Sequence, residues 1–152
     1  MAITTALCNS FKQEILNGEH TINGSSTLKV ALIKATPTGT YDADTTNYSD
    51  VTGNSDEASG TGYTSGGESL TSVTVSVDNT NDIAYVDFAN VNWTSSSISA
   101  DGCIIYNTAT TPANKAVAVI DFGGTKTSTN GDFVIEFPDP AVTPTDAIIV
   151  IS

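Results

Sequence analysis

The residues that could act as acids, bases or nucleophiles are few and widely spaced along the chain. His20 is the only histidine, and the polar turn residues Asn17 and Gly18 just before it predict that it lies in a solvated loop. Cys8 and Cys103 are the only cysteines. No serine lies in a GxSxG elbow. Catalysis requires several groups with shifted pKa values held close together, so this inventory predicts a protein that is not an enzyme.

Metal and cofactor sites are predicted to be absent. The two cysteines form no CxxC motif and no Cys/His cluster, which a zinc site requires. We expect Cys8 and Cys103 to be reduced and buried, since a protein assembled in the cytoplasm keeps its thiols free.

Carboxylates are the one abundant reactive group. Residues 36–68 carry the densest set of hard oxygen ligands, namely Asp42, Asp44, Asn47, Asp50, Asp56 and Glu57. Their spacing lacks the Asp-x-Asp-x-Asp-Gly pattern and late glutamate of an EF-hand, so the set predicts a solvated acidic loop, with calcium binding as the alternative. A two-carboxylate glycosidase also stays open, although Trp93 and a few tyrosines offer little aromatic platform for a sugar.

The charge balance excludes several classes of partner. The chain has 17 acidic residues against five lysines and no arginine, for a net charge of −12. Nucleic acid and anionic lipid both require clustered basic residues, so neither is an expected partner. The N-terminal sequence is too polar for a signal peptide, and no apolar run approaches membrane-spanning length. We therefore expect synthesis in the cytoplasm, where the protein either stays or leaves by lysis or assembly.

The elements that would position these residues begin with a helix in residues 1–18. Leu7, Phe11 and Ile15 are spaced as one helical face, and Asn17-Gly18 is a stop signal. This face either caps the end of the β-core or forms an arm that docks on a neighbouring subunit.

The rest of the chain is typical of β-structure. Alternating or continuous apolar runs predict eight strands, at 27–35, 69–77, 83–88, 90–94, 102–107, 115–122, 132–137 and 147–151. Gly123-Gly124 and Asn130-Gly131 predict turns. The expected core includes Val117, Val119, Phe133, Ile135, Phe137, Ile148 and Val150.

Residues 36–68 form a long polar loop that interrupts the strands. Tyr41, Tyr48 and Tyr63 are spaced through it, and a disordered linker would be poorer in aromatic residues. We interpret the loop as an ordered surface excursion pinned by these tyrosines. The whole chain, 1–152, then reads as one all-β domain: an antiparallel β-sandwich or jelly-roll-like fold of about eight strands with a short N-terminal helix.

Several blocks resemble a family of small virion structural proteins from tailed phages, including cyanophages. The most distinctive are Gly60-Thr61-Gly62-Tyr63, Trp93, Ile105-Tyr106-Asn107 and Asp121-Phe122-Gly123-Gly124, and the resemblance spans nearly the whole chain. It implies a non-enzymatic protein without cofactors or catalytic residues. Some members of the family look like capsid decoration (cement) subunits, and others belong to the tail or neck.

The resemblance leads to a specific expectation. The chain is predicted to be a decoration subunit on the surface of a phage head, bound to the major capsid protein and to itself as a homotrimer, because three-fold positions in a shell favour trimers. A tail-fibre, neck or receptor-binding module is the alternative. The interface should depend on apolar and hydrogen-bonding contacts, since charged residues are scarce. The candidate interface residues are Leu7, Phe11, Ile15, Tyr41, Tyr48 and Tyr63.

Overall fold

The computed structural model describes residues 2–23 and 27–152. Their strands are β1 (Ala6–Leu7), β2 (Leu28–Lys34), β3 (Glu68–Ser69), β4 (Thr74–Asp78), β5 (Ile83–Asp87), β6 (Val91–Ser96), β7 (Ser99–Asn107), β8 (Lys115–Thr127), β9 (Gly131–Ile135) and β10 (Ile149–Ile151). The helices are α1 (Asn9–Leu16), α2 (Tyr48–Gly53) and a 3-10 turn at Pro144–Asp146. All strand pairs within the sheets are antiparallel, which confirms the all-β class and the short N-terminal helix.

The largest sheet has five strands in the order β1-β8-β7-β2-β3 and contains most of the core. Its central strands carry near-continuous apolar runs, which is typical of strands covered on both faces. In β7, Cys103, Ile104 and Ile105 are all fully buried, although successive side chains point to opposite faces. The N-terminal segment contributes to this cover, since α1 packs on β8.

Two smaller sheets complete the fold. Strands β10, β5 and β4 form one of them in that order, and β6 pairs with β9 in the other. The predicted core is confirmed for Val117, Val119, Phe133 and Ile135, which are buried. Three further members of the predicted core are half-buried: Phe137, Ile148 and Val150.

The N-terminal helix is shorter than predicted. It begins at Asn9, and Leu7 lies in β1, where it pairs with Ala118 of β8. The expectation that Leu7 shares a helical face with Phe11 is therefore wrong, because a strand precedes the helix. Phe11 is buried and Ile15 packs against the core, so this face closes over the β-structure of its own chain.

The predicted strand 69–77 is two strands that are separated by a break. Ser72 has a positive φ of 54°, which ends the extended path between β3 and β4. Leu70 and Val73, beside the break, are buried. Val75 and Val77 in β4 are exposed, so the period-two pattern located a strand but not its buried part.

The predicted turn at Gly123-Gly124 is instead a bulge within one strand. Gly102 pairs with Asp121 and Ala100 pairs with Lys126, so four residues of β8 lie opposite one residue of β7. Positive φ values of 68° and 126° at the two glycines allow this local detour. The chain does turn near Asn130, whose φ is 48°, but β9 then pairs with β6 and not with β8.

Candidate functional site

The polar loop 36–68 is fixed to the core by the carboxylate of Asp56, whose side chain is 0% exposed. It accepts hydrogen bonds from the backbone N–H of Thr38 (2.9 Å) and of Gly39 (2.7 Å) and from the Tyr41 hydroxyl (2.6 Å). The Lys34 ammonium of β2 lies 2.9 Å from the same carboxylate. Asp56 therefore joins the start of the loop to the central sheet.

The protonation of Asp56 follows from these partners. Burial by itself raises the pKa of a carboxyl group, but the hydrogen bonds from Tyr41, Thr38, Gly39 and Lys34 outweigh it and hold the pKa of Asp56 well below its usual range. The group is an anion whose oxygen atoms are already occupied by donors, so it is suited to holding the loop and not to transferring a proton. The prediction of a solvated loop is wrong at this position.

Glu57 forms the second anchor of the loop. Its Oε1 accepts hydrogen bonds from the Tyr63 hydroxyl (2.9 Å) and the Gly66 N–H (2.6 Å). Its Oε2 accepts from the Tyr48 hydroxyl (2.7 Å) and the Ser65 hydroxyl (2.6 Å). Four donors thus converge on one carboxylate, and they join α2 in the middle of the loop to residues 63–66 at its end.

The tyrosines connect these anchors to the sheet, as the sequence predicted. The Tyr63 hydroxyl also accepts the Leu32 N–H of β2 at 3.0 Å. Tyr48 stacks on Tyr106 of β7, with ring centroids 4.5 Å apart and planes within 7°. Burial raises the pKa of Tyr48 to about 12 and raises that of Tyr63 also, so both hydroxyls stay protonated and donate.

These contacts change the set of candidate interface residues. Phe11 and Tyr41 are each 1% exposed, so they contact their own core and present no surface to another molecule. Tyr48 and Tyr63 are half-buried, and their hydroxyls are bonded within the chain. Of the helical-face candidates, Leu7 and Ile15 are also half-buried and pack on the core.

His20 is buried, so the prediction that it lies in a solvated loop is wrong. Its side chain is 0% exposed, and its Nε2 and Nδ1 lie 2.8 Å from Glu14 and 3.2 Å from the Asn107 amide nitrogen. The amide oxygen of Asn107 accepts the Ala109 N–H, so the amide nitrogen donates to Nδ1. Nε2 therefore carries the proton and donates to Glu14. Both ring nitrogens are occupied, which leaves none to activate a nucleophile.

Lys115 completes this cluster beneath the N-terminal helix. Its ammonium lies 3.3 Å from Glu14 and forms a short hydrogen bond with Glu19. The bond to Glu19 and then that to Glu14 raise the pKa of Lys115 despite its desolvation. The cluster ties residues 14–20 to β7 and β8, a connection that no local pattern in the sequence indicates.

The two cysteines are free and buried, as predicted. Burial raises the pKa of Cys8 to about 12, and burial raises the pKa of Cys103 as well. Both remain thiols at neutral pH, the form with little nucleophilic reactivity.

The acidic loop does not gather into a cation site in the part of the chain that the structure describes. No group of three or more His, Cys, Asp or Glu side chains is close enough there to hold a metal ion. Asp42 accepts the Asp44 N–H at 2.9 Å, and Asp50 accepts the Thr46 N–H at 2.8 Å. These carboxylates cap backbone groups of their own loop.

An open apolar groove of about 510 Å³ lies between the far half of β8 and β9. Its apolar lining comprises Ile120, Phe122, Phe133, Ile135, Phe137 and Ile148. Asp132, Glu136 and Lys126 supply the charges at its margin. The sequence analysis predicted several of these residues as core. No sequence pattern indicated that a groove would lie between β8 and β9.

A second apolar surface lies at the edge of the three-stranded sheet. Val75 is 55% exposed and Val77 is 68% exposed, both on β4. Side chains of β5 and β10 on the same face, such as Val86 and Ile149, are buried. The apolar face of this sheet therefore continues beyond the part that the chain itself covers.

Comparisons with known proteins identify no relative, since no protein-family model, no curated protein and no solved structure matches this chain. Among the described residues, no helix is long and apolar enough to cross a membrane.

Proposed function

We propose that this chain is a non-enzymatic structural subunit of a tailed-phage virion, bound in many copies to the head as a decoration (cement) protein. One observation carries the structural part of this proposal: the groups most able to do chemistry are occupied by contacts that hold the fold. His20, Asp56 and Glu57 each have their polar atoms bonded within the chain, and the two cysteines are buried thiols.

Three of the four motifs that carry the family resemblance contribute contacts to the framework of the fold. Tyr63 contacts Trp93, with ring centroids 5.9 Å apart. Tyr106 stacks on Tyr48, and Asn107 bonds His20. Contacts of this kind within the framework agree with a family of structural proteins.

The anchored loop suits a role in assembly. Asp56 and Glu57 together accept at least eight hydrogen bonds or ion contacts that tie several segments of the loop 36–68 to one another and to the core. A surface that is already ordered loses less conformational entropy when it binds. In a phage head, the packaged genome pushes capsomers apart, and a rigid subunit bound across their seam adds buried surface that resists this.

The proposal is tested by counting copies in purified virions of the phage that encodes the chain. Quantitative mass spectrometry would give its ratio to the major capsid protein, with known tail proteins as low-copy references. Hundreds of copies per particle, and density for the chain on the outside of the head by electron cryomicroscopy, support the proposal.

Two other results would contradict the proposed role as a decoration protein. A few copies to tens of copies per particle, located at the tail or neck, would support the alternative role as a tail module. Absence of the chain from virions, or cleavage of a polysaccharide by the purified protein at a rate that Glu57→Gln or another carboxylate substitution abolishes, would exclude a structural role of either kind.

A further inference from the structure

Strand β4 is the exposed edge of its sheet. It pairs with β5 along all five of its residues, from Thr74 with Asp87 to Asp78 with Ile83. No other described strand pairs with it, because the sheet order is β10-β5-β4. A strand paired on one side leaves alternate N–H and C=O groups directed outward, ready to bond another strand.

The sequence of β4 does nothing to block such pairing. Protein edges are commonly protected by lysine, proline, a bulge or a charge within the strand. Residues Thr74–Val77 contain none of these, and the β4–β5 register runs without a shift. The edge of β9 differs, since it carries Asp132 and its pairing with β6 has a register shift between Trp93 and Ser96.

The net charge of the molecule restricts where a second copy of the chain could bind. With a net charge of −12, two copies repel each other over most approaches. The edge itself holds one charge, Asp78, at its end, and that carboxylate already accepts from the side chain of Asn81 at 2.6 Å. A second copy can therefore approach here with little like-charge contact, provided the two Asp78 side chains stay apart.

An antiparallel pairing about Ser76 meets that condition. In this register Ser76 lies opposite Ser76 of the second copy, and Val75 lies opposite Val77. Asp78 lies opposite Thr74, whose hydroxyl can donate to it, and the two Asp78 side chains are at opposite ends of the pair. The strand can thus pair with a second copy of itself without placing like charges directly opposite each other.

We propose that two copies of the chain associate through β4 in this two-fold register. The pairing joins two three-stranded sheets into one of six strands and brings the exposed Val75 and Val77 of each copy together on one face. A two-fold axis at Ser76 produces a dimer, in place of the trimer expected from shell symmetry.

The interface is small, so the association depends on protein concentration. A single pair of five-residue strands falls at the low end of specific interfaces in buried area. Dimers should therefore form reversibly in concentrated solution, or wherever many copies are held close together. The inference does not rest on the proposed place in a virion, because it uses only the edge of one sheet.

Cross-linking tests the register directly. In Ser76→Cys, the two introduced cysteines would have Cα atoms about 4.5–5.5 Å apart, within the range for a disulfide. In the matched control Thr80→Cys, each site lies in the turn beyond Asp78, so the two sites would be at least about 13 Å apart, too far for a disulfide. Under mild oxidation we expect a disulfide-linked dimer from the first variant and not from the second. Equal yields from both, or none from Ser76→Cys, would overturn the register.

A charge exchange tests which residues face each other. Val77→Lys and Val75→Asp are both at exposed positions, so each variant should fold, as circular dichroism and thermal melting would verify. Each alone should weaken self-association at least tenfold by sedimentation, because a charge replaces an apolar contact. Their mixture should form a mixed dimer, since Lys at 77 of one copy faces Asp at 75 of the other.

The outcomes of the exchange are distinct. Restored association in the mixture supports the pairing. No restoration, no dimer of the wild-type chain up to millimolar concentration, or a trimer that all these variants leave intact would each refute it. Val142→Lys is the matched control, because Val142 is 78% exposed but lies outside the sheets, and it should leave association unchanged.

Discussion

The loop 36–68 and strand β4 both depart from the rule that polar residues are exposed and apolar residues are buried. The loop is rich in Asp, Ser, Thr and Gly, yet the carboxylates of Asp56 and Glu57 each accept several hydrogen bonds, and Asp56 is fully buried. Strand β4 carries a clean apolar alternation, yet its two valines are more than half exposed. Polarity alone does not decide burial. A polar side chain is buried where the fold supplies hydrogen-bond partners, and an apolar side chain is buried where another layer of the fold packs on it.

The largest effect should come from removing the buried anchor. Asp56→Ala leaves the N–H groups of Thr38 and Gly39 and the Tyr41 hydroxyl without their acceptor, and it leaves Lys34 without its counter-ion. We expect a loss of about 3–5 kcal/mol in the free energy of unfolding, measured by urea titration.

Asp44→Ala is the control for that experiment, because Asp44 is an exposed acid of the same loop. It should change stability by less than about 1 kcal/mol. Equal effects of the two substitutions would show that the loop is not held from within, and the contrast with β4 would fail.

Acid should weaken the anchor of the loop at Asp56, whereas the exposed Val75 and Val77 of β4 carry no ionisable group. The pKa of Asp56 is lower in the folded chain than in the unfolded one, so its stabilisation is fully present well above the unfolded value of about 3.9 and is lost as the pH falls below it. Urea titrations between pH 7 and pH 3 should show a smaller loss of stability in Asp56→Asn than in the wild type. Parallel pH profiles would contradict the assignment of Asp56 as the anchor.

A smaller effect is expected at the second anchor. In Glu57→Gln, an amide nitrogen replaces one of the two acceptor oxygens, so two of the four donors lose their carboxylate acceptor and the remaining hydrogen bonds lose its charge. We expect destabilisation of about 1–3 kcal/mol by thermal or urea unfolding. Glu68→Gln, at an exposed position in β3, should be close to neutral.

The smallest effect on monomer stability should come from the apolar edge. Val77→Thr keeps a β-branched side chain and removes apolar surface that is already in contact with solvent. At low protein concentration it should change the free energy of unfolding by less than about 0.5 kcal/mol. A loss of 2 kcal/mol or more would mean that Val77 is covered in solution, and the contrast between the two regions would need revision.

The sequence predicted much of the fold because local patterns report local geometry. The runs at 115–122 and 132–137 predicted β8 and β9 within a few residues, and the tyrosines were placed correctly as ties between the loop and the core. The errors arose where a local signal has more than one structural use. Gly123-Gly124 has the composition of a turn, but two glycines with positive φ also suit a bulge.

Composition and periodicity by themselves determined the all-β class, the position of most strands, the short helix and the acidic surface. They did so because strand and helix periods and turn residues act over a few neighbouring positions. Only the tertiary structure decided which polar groups are buried, because a buried charge or imidazole needs partners from far along the chain. His20 meets Asn107 across 87 positions, and Asp56, which follows α2, meets Lys34 at the end of β2. The exposure of Val75 and Val77 on β4 was also decided by the tertiary structure, because no further described strand or layer packs beside them.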